Sequence, residues 1–162
     1  MSNPWHIVAN ARGLTRLTRR RSGAVHRLSP DEAKSKAWRV RAEKELRDYL
    51  SGRLKSFSLR YDIAGLSSFT KAVLKETVYI PYGQVRTYQW IADRLGKPKA
   101  ARAVGSALAR NPLPIIIPCH RVVRGDGHIG RFALGSEWKK RLLRLEKTFV
   151  KQKLRGATQP DP

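Results

Sequence analysis

The run Ile117-Pro118-Cys119-His120-Arg121-Val122 holds the one cysteine of this 162-residue chain, with an imidazole directly after it. A lone thiol is ordinarily a small buried hydrophobe. Here an adjacent histidine, a preceding proline and two nearby guanidinium groups (Arg121, Arg124) argue for a nucleophile. Cationic and imidazole neighbours lower a thiol's pKa and raise its thiolate fraction. On these residues alone the inert and the nucleophilic readings stand level.

A carboxylate in an unexpected place supplies the next clue. The pattern from Ser136 to Val150 reads as a helix, with Trp138, Leu142, Leu145 and Phe149 along one stripe. On a helical wheel Glu146 falls between Leu142 and Leu143, inside the apolar arc. A carboxylate there is costly unless something binds it, and a His or Arg is the obvious partner. The alternative is a side chain that reaches solvent or pairs with a surface Lys. Asn111, in Asn111-Pro112-Leu113-Pro114, is a turn residue that ends a helix and delivers the chain to the cysteine, expected on a strand.

The elements that must position these groups can be read in order. Residues 5–20 predict a strand pair turning at Asn10-Ala11-Arg12-Gly13, followed by the charge run Arg19-Arg20-Arg21. His6 and His26 have no metal-ligand company. Ser29, Pro30 and Glu32 form a capping signal for a helix whose buried face carries Trp38, Ala42, Leu46, Tyr49 and Leu50. A connector of about residues 53–66 has room for a short strand at Phe57-Ser58-Leu59. Ser67 or Ser68 then caps a helix to about Val78, ended by Ile80-Pro81-Tyr82-Gly83. Thr87 caps a helix to Leu95, Gly96-Lys97-Pro98 turns, and Lys99 to Arg110 is a second helix. Gly125-Asp126-Gly127 predicts a hairpin between Arg121–Arg124 and His128–Phe132.

Thirty-four Lys and Arg against twelve Asp and Glu give a net charge of +22. So large an excess repels itself unless a polyanion relieves it, which points to nucleic acid first and to an anionic membrane second, with a generally basic protein as the plainer alternative. The short helix pair fits a helix-turn-helix, although its second helix (Ala100, Ala101, Ala103, Gly105, Ser106, Ala107, Ala109) lacks side chains long enough to read bases. Small residues favour close backbone approach and phosphate recognition, and Arg102 is the one long polar side chain early in it. An Ala-rich core helix is the plainer alternative. One cysteine excludes an internal disulfide and fits a reducing compartment. No apolar run reaches membrane-spanning length, and the N-terminus lacks a signal-peptide pattern.

The run Asn111 to Val123 resembles the active-site signature of the O6-alkylguanine-DNA alkyltransferases. Tyr88-Gln89 and Pro98-Lys99-Ala100-Ala101-Arg102-Ala103-Val104-Gly105 are similar to that family's DNA-binding helix-turn-helix. The similarity spans about residues 66–148. It implies an α/β (α+β) fold, with a small N-terminal strand-and-helix lobe (residues 1–60) packed on a mainly helical alkyltransferase and DNA-binding domain (61–150). A basic, then disordered tail (151–162) follows.

The resemblance also implies roles. Cys119 matches the acceptor thiol, His120 the imidazole that takes its proton through a bound water, and Glu146 the carboxylate that orients that imidazole. Asn111 matches the hinge asparagine. Tyr88 matches the residue that crowds the target phosphate, and Arg102 the finger that enters the base stack. Gln89, Ala101, Ala103 and Gly105 complete the DNA-binding set, and Pro114, Val122, Phe132 and Ala133 the substrate pocket. The implied reaction is irreversible, single-turnover transfer of an alkyl group from O6 of guanine, with O4 of thymine as a second target, to Cys119 after base flipping. The implied partner is double-stranded DNA containing O6-alkylguanine, met by a monomer in the cytoplasm, or the nucleus of a eukaryote. No cofactor is implied. No metal is expected either, since the structural zinc of some members needs N-terminal cysteines that this chain lacks.

The chain departs from the pattern at Phe132, where the family usually has a tyrosine whose hydroxyl reaches guanine O6, and at Ala133-Leu134, which replace glycines. Loss of that donor is expected to slow transfer or to reshape which alkyl groups fit. A non-catalytic alkylated-DNA-binding protein of the same fold is the second reading, and a Cys119–His120 hydrolase the third. The acceptor cysteine tells against the second. The charge and the helix pair tell against the third.

Overall fold

The structure is a computed structural model and describes residues 5–19 and 32–146. The Arg20-Arg21 part of the charge run, His26, the Ser29–Pro30 cap, Phe149 and the tail lie outside these residues, as does the expected end of the last helix at Val150. The fold is mixed α/β, as expected. It comprises β1 (Trp5–Asn10), β2 (Gly13–Arg19), α1 (Glu32–Leu50), α2 (Ser68–Val78), β3 (Arg86–Thr87), α3 (Tyr88–Arg94), α4 (Ala101–Ala109), β4 (Val122–Val123) and α5 (Ser136–Leu145).

These elements form two compact units. One contains the described residues up to Gly65 together with Pro112–Ile116, and the other Leu66–Asn111 together with those from Ile117 on. In the first, β1 and β2 pair antiparallel with a bulge at Val8/Ala9. Alternation puts Trp5, Ile7 and Ala9 on the buried face of β1. Ala42, Leu46 and Tyr49 supply the matching face of α1, while Trp38 and Leu50 are half-buried. The Asn10 side chain accepts from the Arg12 and Gly13 amides at 2.8 and 3.1 Å and so closes the turn. Gly13 is required there. Its φ is +146°, and a Cβ would lie 2.6 Å from the backbone of Arg60.

The connector does not form the short strand expected at Phe57–Leu59. The Glu45 carboxylate accepts from Ser58 N at 2.9 Å and from Ser58 Oγ at 2.6 Å, so a side chain holds the amide a ladder would use. Pairing moves downstream, where Leu14 bridges Tyr61 in parallel. The 112–116 segment joins this unit through Leu17 N, which donates to Pro112 O at 2.8 Å. Ile115 within it is fully buried with φ at +78°. A β-branched residue is strained in that region by about 1–3 kcal/mol, and tight packing holds it there.

In the second unit Ser67 caps α2 and Thr87 caps α3, each side chain accepting an amide three residues on. Gly96 at φ +66° ends α3, and the turn passes into a 3-10 segment (Pro98–Ala100) before α4 begins at Ala101, two residues later than expected. α5 ends at Leu145, with Glu146 as its C-cap.

Two sequence expectations fail around the cysteine. Cys119–Arg121 is a 3-10 turn rather than a strand, with Arg121 N bonded to Pro118 O at 2.9 Å. A short apolar run carries no periodicity that separates a buried turn from a buried strand. The hairpin is also missing among the described residues. β4 spends its ladder on β3 in parallel, Val122 opposite Arg86 and Val123 opposite Thr87. The Gly125–Gly127 turn does form, held by the Asp126 carboxylate on His128 N at 3.0 Å.

Candidate active site

The cysteine turn, the end of α5 and the end of α4 bring four of the expected residues together. His120 is fully buried, and its Nε2 lies 2.8 Å from Glu146 Oε1. A carboxylate accepts, so this bond keeps the imidazole proton on Nε2 and the basic lone pair on Nδ1. Asn111, just after α4, donates from Nδ2 to Ile117 O at 3.0 Å and to Cys119 Sγ at 3.1 Å. The turn asparagine therefore holds the thiol directly. Glu146 is as buried as its place in the apolar arc required, and it has both partner types proposed for it. Arg121 donates from Nε to Oε1 and Oε2 at 3.2 and 3.0 Å and from Nη2 to Oε1 at 3.0 Å. Gly83 N adds a bond to Oε2 at 3.0 Å.

The pocket residues are more dispersed. Val122 is buried, and Phe132 is half-buried with its ring edge-on to His120 at 6.1 Å. Ala133 is exposed on the same loop, and Pro114 lies on the 112–116 segment of the first unit. Tyr88 opens α3. Its hydroxyl lies so close to Gly130 that a Cβ there would approach it to 2.7 Å, and its ring faces Gly105 of α4. Gln89 Nε2 donates to Asp93 Oδ1 at 2.8 Å and to Pro98 O at 2.6 Å, joining α3 to the turn before α4. Arg102 and Ala103 are exposed on α4, Ala101 is half-buried, and Val104, Ala107 and Leu108 are buried beneath them. That helix shows solvent a face of small residues with one guanidinium near its start.

A family model for the DNA-binding domain of 6-O-methylguanine DNA methyltransferase matches residues 68–148, half of the chain. A Methanosarcina barkeri protein named methylated-DNA–protein-cysteine methyltransferase is 41% identical over 91% of this chain and 93% of its own. The chain belongs to the 6-O-methylguanine DNA methyltransferase family. Another relative of the same name, from Mycobacterium tuberculosis, is 43% identical over 64% of the chain and 62% of its own. The fold is similar to a crystal structure of Mycobacterium tuberculosis OGT in complex with DNA, with a TM-score of 0.77 and 34% identity over 90% of this chain and 87% of that one. A methyltransferase structure from Pyrococcus kodakaraensis gives 0.58 and 27% over 86% and 89%.

The electrostatics of this family member correct one sequence expectation. Burial pushes the Cys119 thiol up to about 11, against the smaller lowering effects of the Asn111 hydrogen bond and the Lys139 charge. The cations expected to lower it are engaged elsewhere: Arg121 lies on Glu146, and Arg124 pairs with Asp126 at 2.7 Å. His120 is also held below its ordinary value, first by burial and then by Arg121 and Lys139, although Glu146 pulls the other way. At neutral pH the site is thus a protonated thiol beside a neutral imidazole. Such a thiol is on the order of one ten-thousandth ionised, so it stays inert until a base takes its proton.

Two functional candidates went unassigned in the sequence. Arg121 appeared only as a cation near the thiol, and Lys139 not at all. Lys139 carried the same signal that exposed Glu146: on the helical wheel it lies about 40° from Leu143, inside the apolar arc of α5. Among the described residues no group of three or more His, Cys, Asp or Glu is placed to hold a metal, and no helix is long and apolar enough to cross a membrane.

Proposed function

We propose that this chain repairs DNA by moving the alkyl group from O6 of guanine, and from O4 of thymine as a second target, onto Cys119, once per chain. The observation that carries the reading is the buried assembly of Asn111, Cys119, His120 and Glu146 in a member of this family. The alkylated base is rotated out of the duplex, because O6 is otherwise hidden in the stack. Tyr88 crowds the phosphate to drive rotation and Arg102 fills the gap. His120 Nδ1 takes the thiol proton through a bound water, and Glu146 stabilises the imidazolium that forms. Sulfur bonds to the alkyl carbon as the carbon–oxygen bond breaks. Guanine leaves with that electron pair and takes up one proton, which balances the proton lost from the thiol. The thioether resists hydrolysis, so the chain is consumed. A basic monomer working in the cytoplasm, at the nucleoid, or in the nucleus of a eukaryote, fits the +22 charge, with affinity falling steeply as added salt reduces the gain from releasing DNA counterions.

The test is mass spectrometry of the intact chain and its peptides after incubation with duplex DNA carrying O6-methylguanine. One methyl increment on the Cys119 peptide, reaching a plateau at one per chain, is expected. Lesion binding with no mass change would overturn transfer in favour of damage recognition alone.

Arg102→Ala is expected to slow transfer from duplex DNA by about tenfold, the equivalent of about 1.4 kcal/mol, while leaving a single-stranded substrate nearly unaffected. Rotation out of a stack is needed only in the duplex. Single-turnover rates on matched duplex and single-strand substrates check it, and equal losses on both would remove the finger role from Arg102.

A further inference from the structure

Lys139 is fully buried on α5, and neither the transfer chemistry nor the DNA contact proposed above uses it. Its Nζ donates to Val122 O at 2.6 Å and to Arg131 O at 3.3 Å. An ammonium is among the most expensive groups to bury, so one that persists in a core is held by specific acceptors and serves a specific arrangement. Both acceptors here are main-chain carbonyls, and they lie nine residues apart in sequence. Val122 follows the Cys119–Arg121 turn, and Arg131 precedes Phe132. Between them the loop is exposed from Arg124 to His128 and carries glycines at positive φ, at Gly127 and Gly130. Such a segment has little packing of its own to fix its ends.

We propose that Lys139 is the positioning residue of the acceptor pocket: its ammonium clamps the exit of the cysteine turn, at the Val122 carbonyl, to the start of the Phe132 loop, at the Arg131 carbonyl. The proposal rests on the alkyl-transfer reading above and deepens it. Two observations and one general rule converge on this point. The clamp sets the spacing between Cys119 and Phe132, and Phe132 packs edge-on against His120. Gly130, one residue before Arg131, lies against the Tyr88 hydroxyl, so the same loop also abuts the start of α3. Charge-assisted bonds are about twice as strong as neutral ones, so a charged amine holds two carbonyls better than a neutral side chain could. In a pocket where Phe132 offers no hydroxyl to the leaving oxygen, correct placement of the remaining groups carries more of the rate. A misplacement of about 1 Å costs on the order of 100-fold.

The titratable groups facing Lys139 are Cys119 and His120, both on the cysteine turn and both uncharged at neutral pH. Burial brings the Lys139 ammonium down to about 8, with Cys119 acting in the opposite direction. The unfolded chain therefore binds the proton more tightly than the folded one between pH 8 and the ordinary lysine range. The Lys139 contribution to folding stability rises with pH across that window as its burial cost is relieved, while the clamp weakens. Cys119, pushed up by burial, acts the other way above the ordinary thiol range, so rates there are read against the folded fraction measured at the same pH.

The experiment compares the unaltered chain with Lys139→Met and Lys139→Arg. Each is measured for single-turnover methyl transfer from O6-methylguanine duplex, for affinity towards undamaged duplex, and for amide hydrogen exchange over residues 122–135. Lys139→Met is expected to slow transfer by about 100-fold, to leave undamaged-DNA affinity within about twofold, and to speed exchange at the loop amides. Lys139→Arg, which keeps the charge, restores part of the rate. Transfer by folded Lys139→Met within about threefold of the unaltered chain, or unchanged loop exchange, overturns the clamp. Should Lys139→Met fail to fold, the pH profile of the unaltered chain decides. A rate that falls above pH 8 while the fold holds supports the clamp, and one that keeps climbing with thiol ionisation overturns it. Absence of methyl uptake by the unaltered chain would instead overturn the transfer reading itself.

Discussion

Glu146→Gln is expected to slow methyl transfer by about 100-fold and to destabilise the fold by about 3–5 kcal/mol, with DNA affinity nearly unchanged. The two losses have separate origins in one side chain. Glu146 keeps the His120 proton on Nε2 and, in the proposed reaction, would compensate the imidazolium formed when the thiol gives up its proton. A neutral amide does neither well. For stability, Arg121 is buried with both carboxylate oxygens in reach, and the amide would leave that guanidinium uncompensated. Burial raises the Glu146 carboxyl, but the hydrogen bonds and charges of His120 and Arg121 outweigh it and hold the group down to about 2.

The sign of the pH effect follows from that depression. The folded state releases this proton more readily than the unfolded chain, so the contribution is complete above the ordinary glutamate range. It is lost as pH falls towards 2, and amounts to about 3 kcal/mol in all. His120, held low, acts in the same direction below its ordinary value, because the unfolded chain gains its proton first. Glu146→Gln should therefore flatten the acid limb of a stability profile measured by urea unfolding between pH 5 and 2. A variant that keeps the unaltered slope, or transfers at the unaltered rate, would sink the buried-carboxylate account.

Arg121→Met is expected to cost about 3 kcal/mol of stability or more, while the folded fraction keeps its transfer rate to within about tenfold. The guanidinium holds Glu146 on one side and donates from Nη1 to Ile80 O at 2.6 Å on the other. Removing it strands a buried carbonyl and leaves Glu146 with His120 and the Gly83 amide. The His120–Glu146 bond survives, and His120 becomes more basic, since the Arg121 charge is one of the effects that lower it. Urea unfolding and single-turnover transfer on both single variants and on the double variant separate the roles. Because the partners share one buried contact, the double variant should be less destabilised than the sum of the singles. A transfer defect in Arg121→Met as deep as that of Glu146→Gln would place the guanidinium in the chemistry rather than in the scaffold.

Much of this site was legible from local signals. Thr87 and the Ser67-Ser68 pair marked helix starts because a side-chain oxygen three residues before an amide is a local cap, and the structure places that cap on Ser67. Gly96 and Pro98 marked the turn between α3 and α4 because their backbones tolerate what other residues do not. Glu146 declared itself through its place on a helical wheel, which needs no knowledge of what lies across from it. Its partners came from that position plus charge. The Cys119-His120 pair likewise raised a nucleophile to even standing with an inert thiol, and the basic excess pointed to a polyanion.

The rest was set across space. The parallel pairing of β3 with β4 joins residues 36 positions apart (Arg86 with Val122), and no periodicity within either dipeptide encodes it. Ser58 lost its place in a strand to the Glu45 carboxylate, 13 residues away. Ile115 accepts a strained backbone because packing around it fixes the 112–116 segment in the first unit. The thiol illustrates the division most sharply. Sequence placed cations beside Cys119 and implied a lowered pKa, yet those cations are committed to Glu146 and Asp126, and burial raises it. Residue types and local spacing marked Cys119, His120 and Glu146 as candidates for the chemistry. Tertiary structure decided their protonation, because a charge's effect depends on what else it binds and on how much water remains around it.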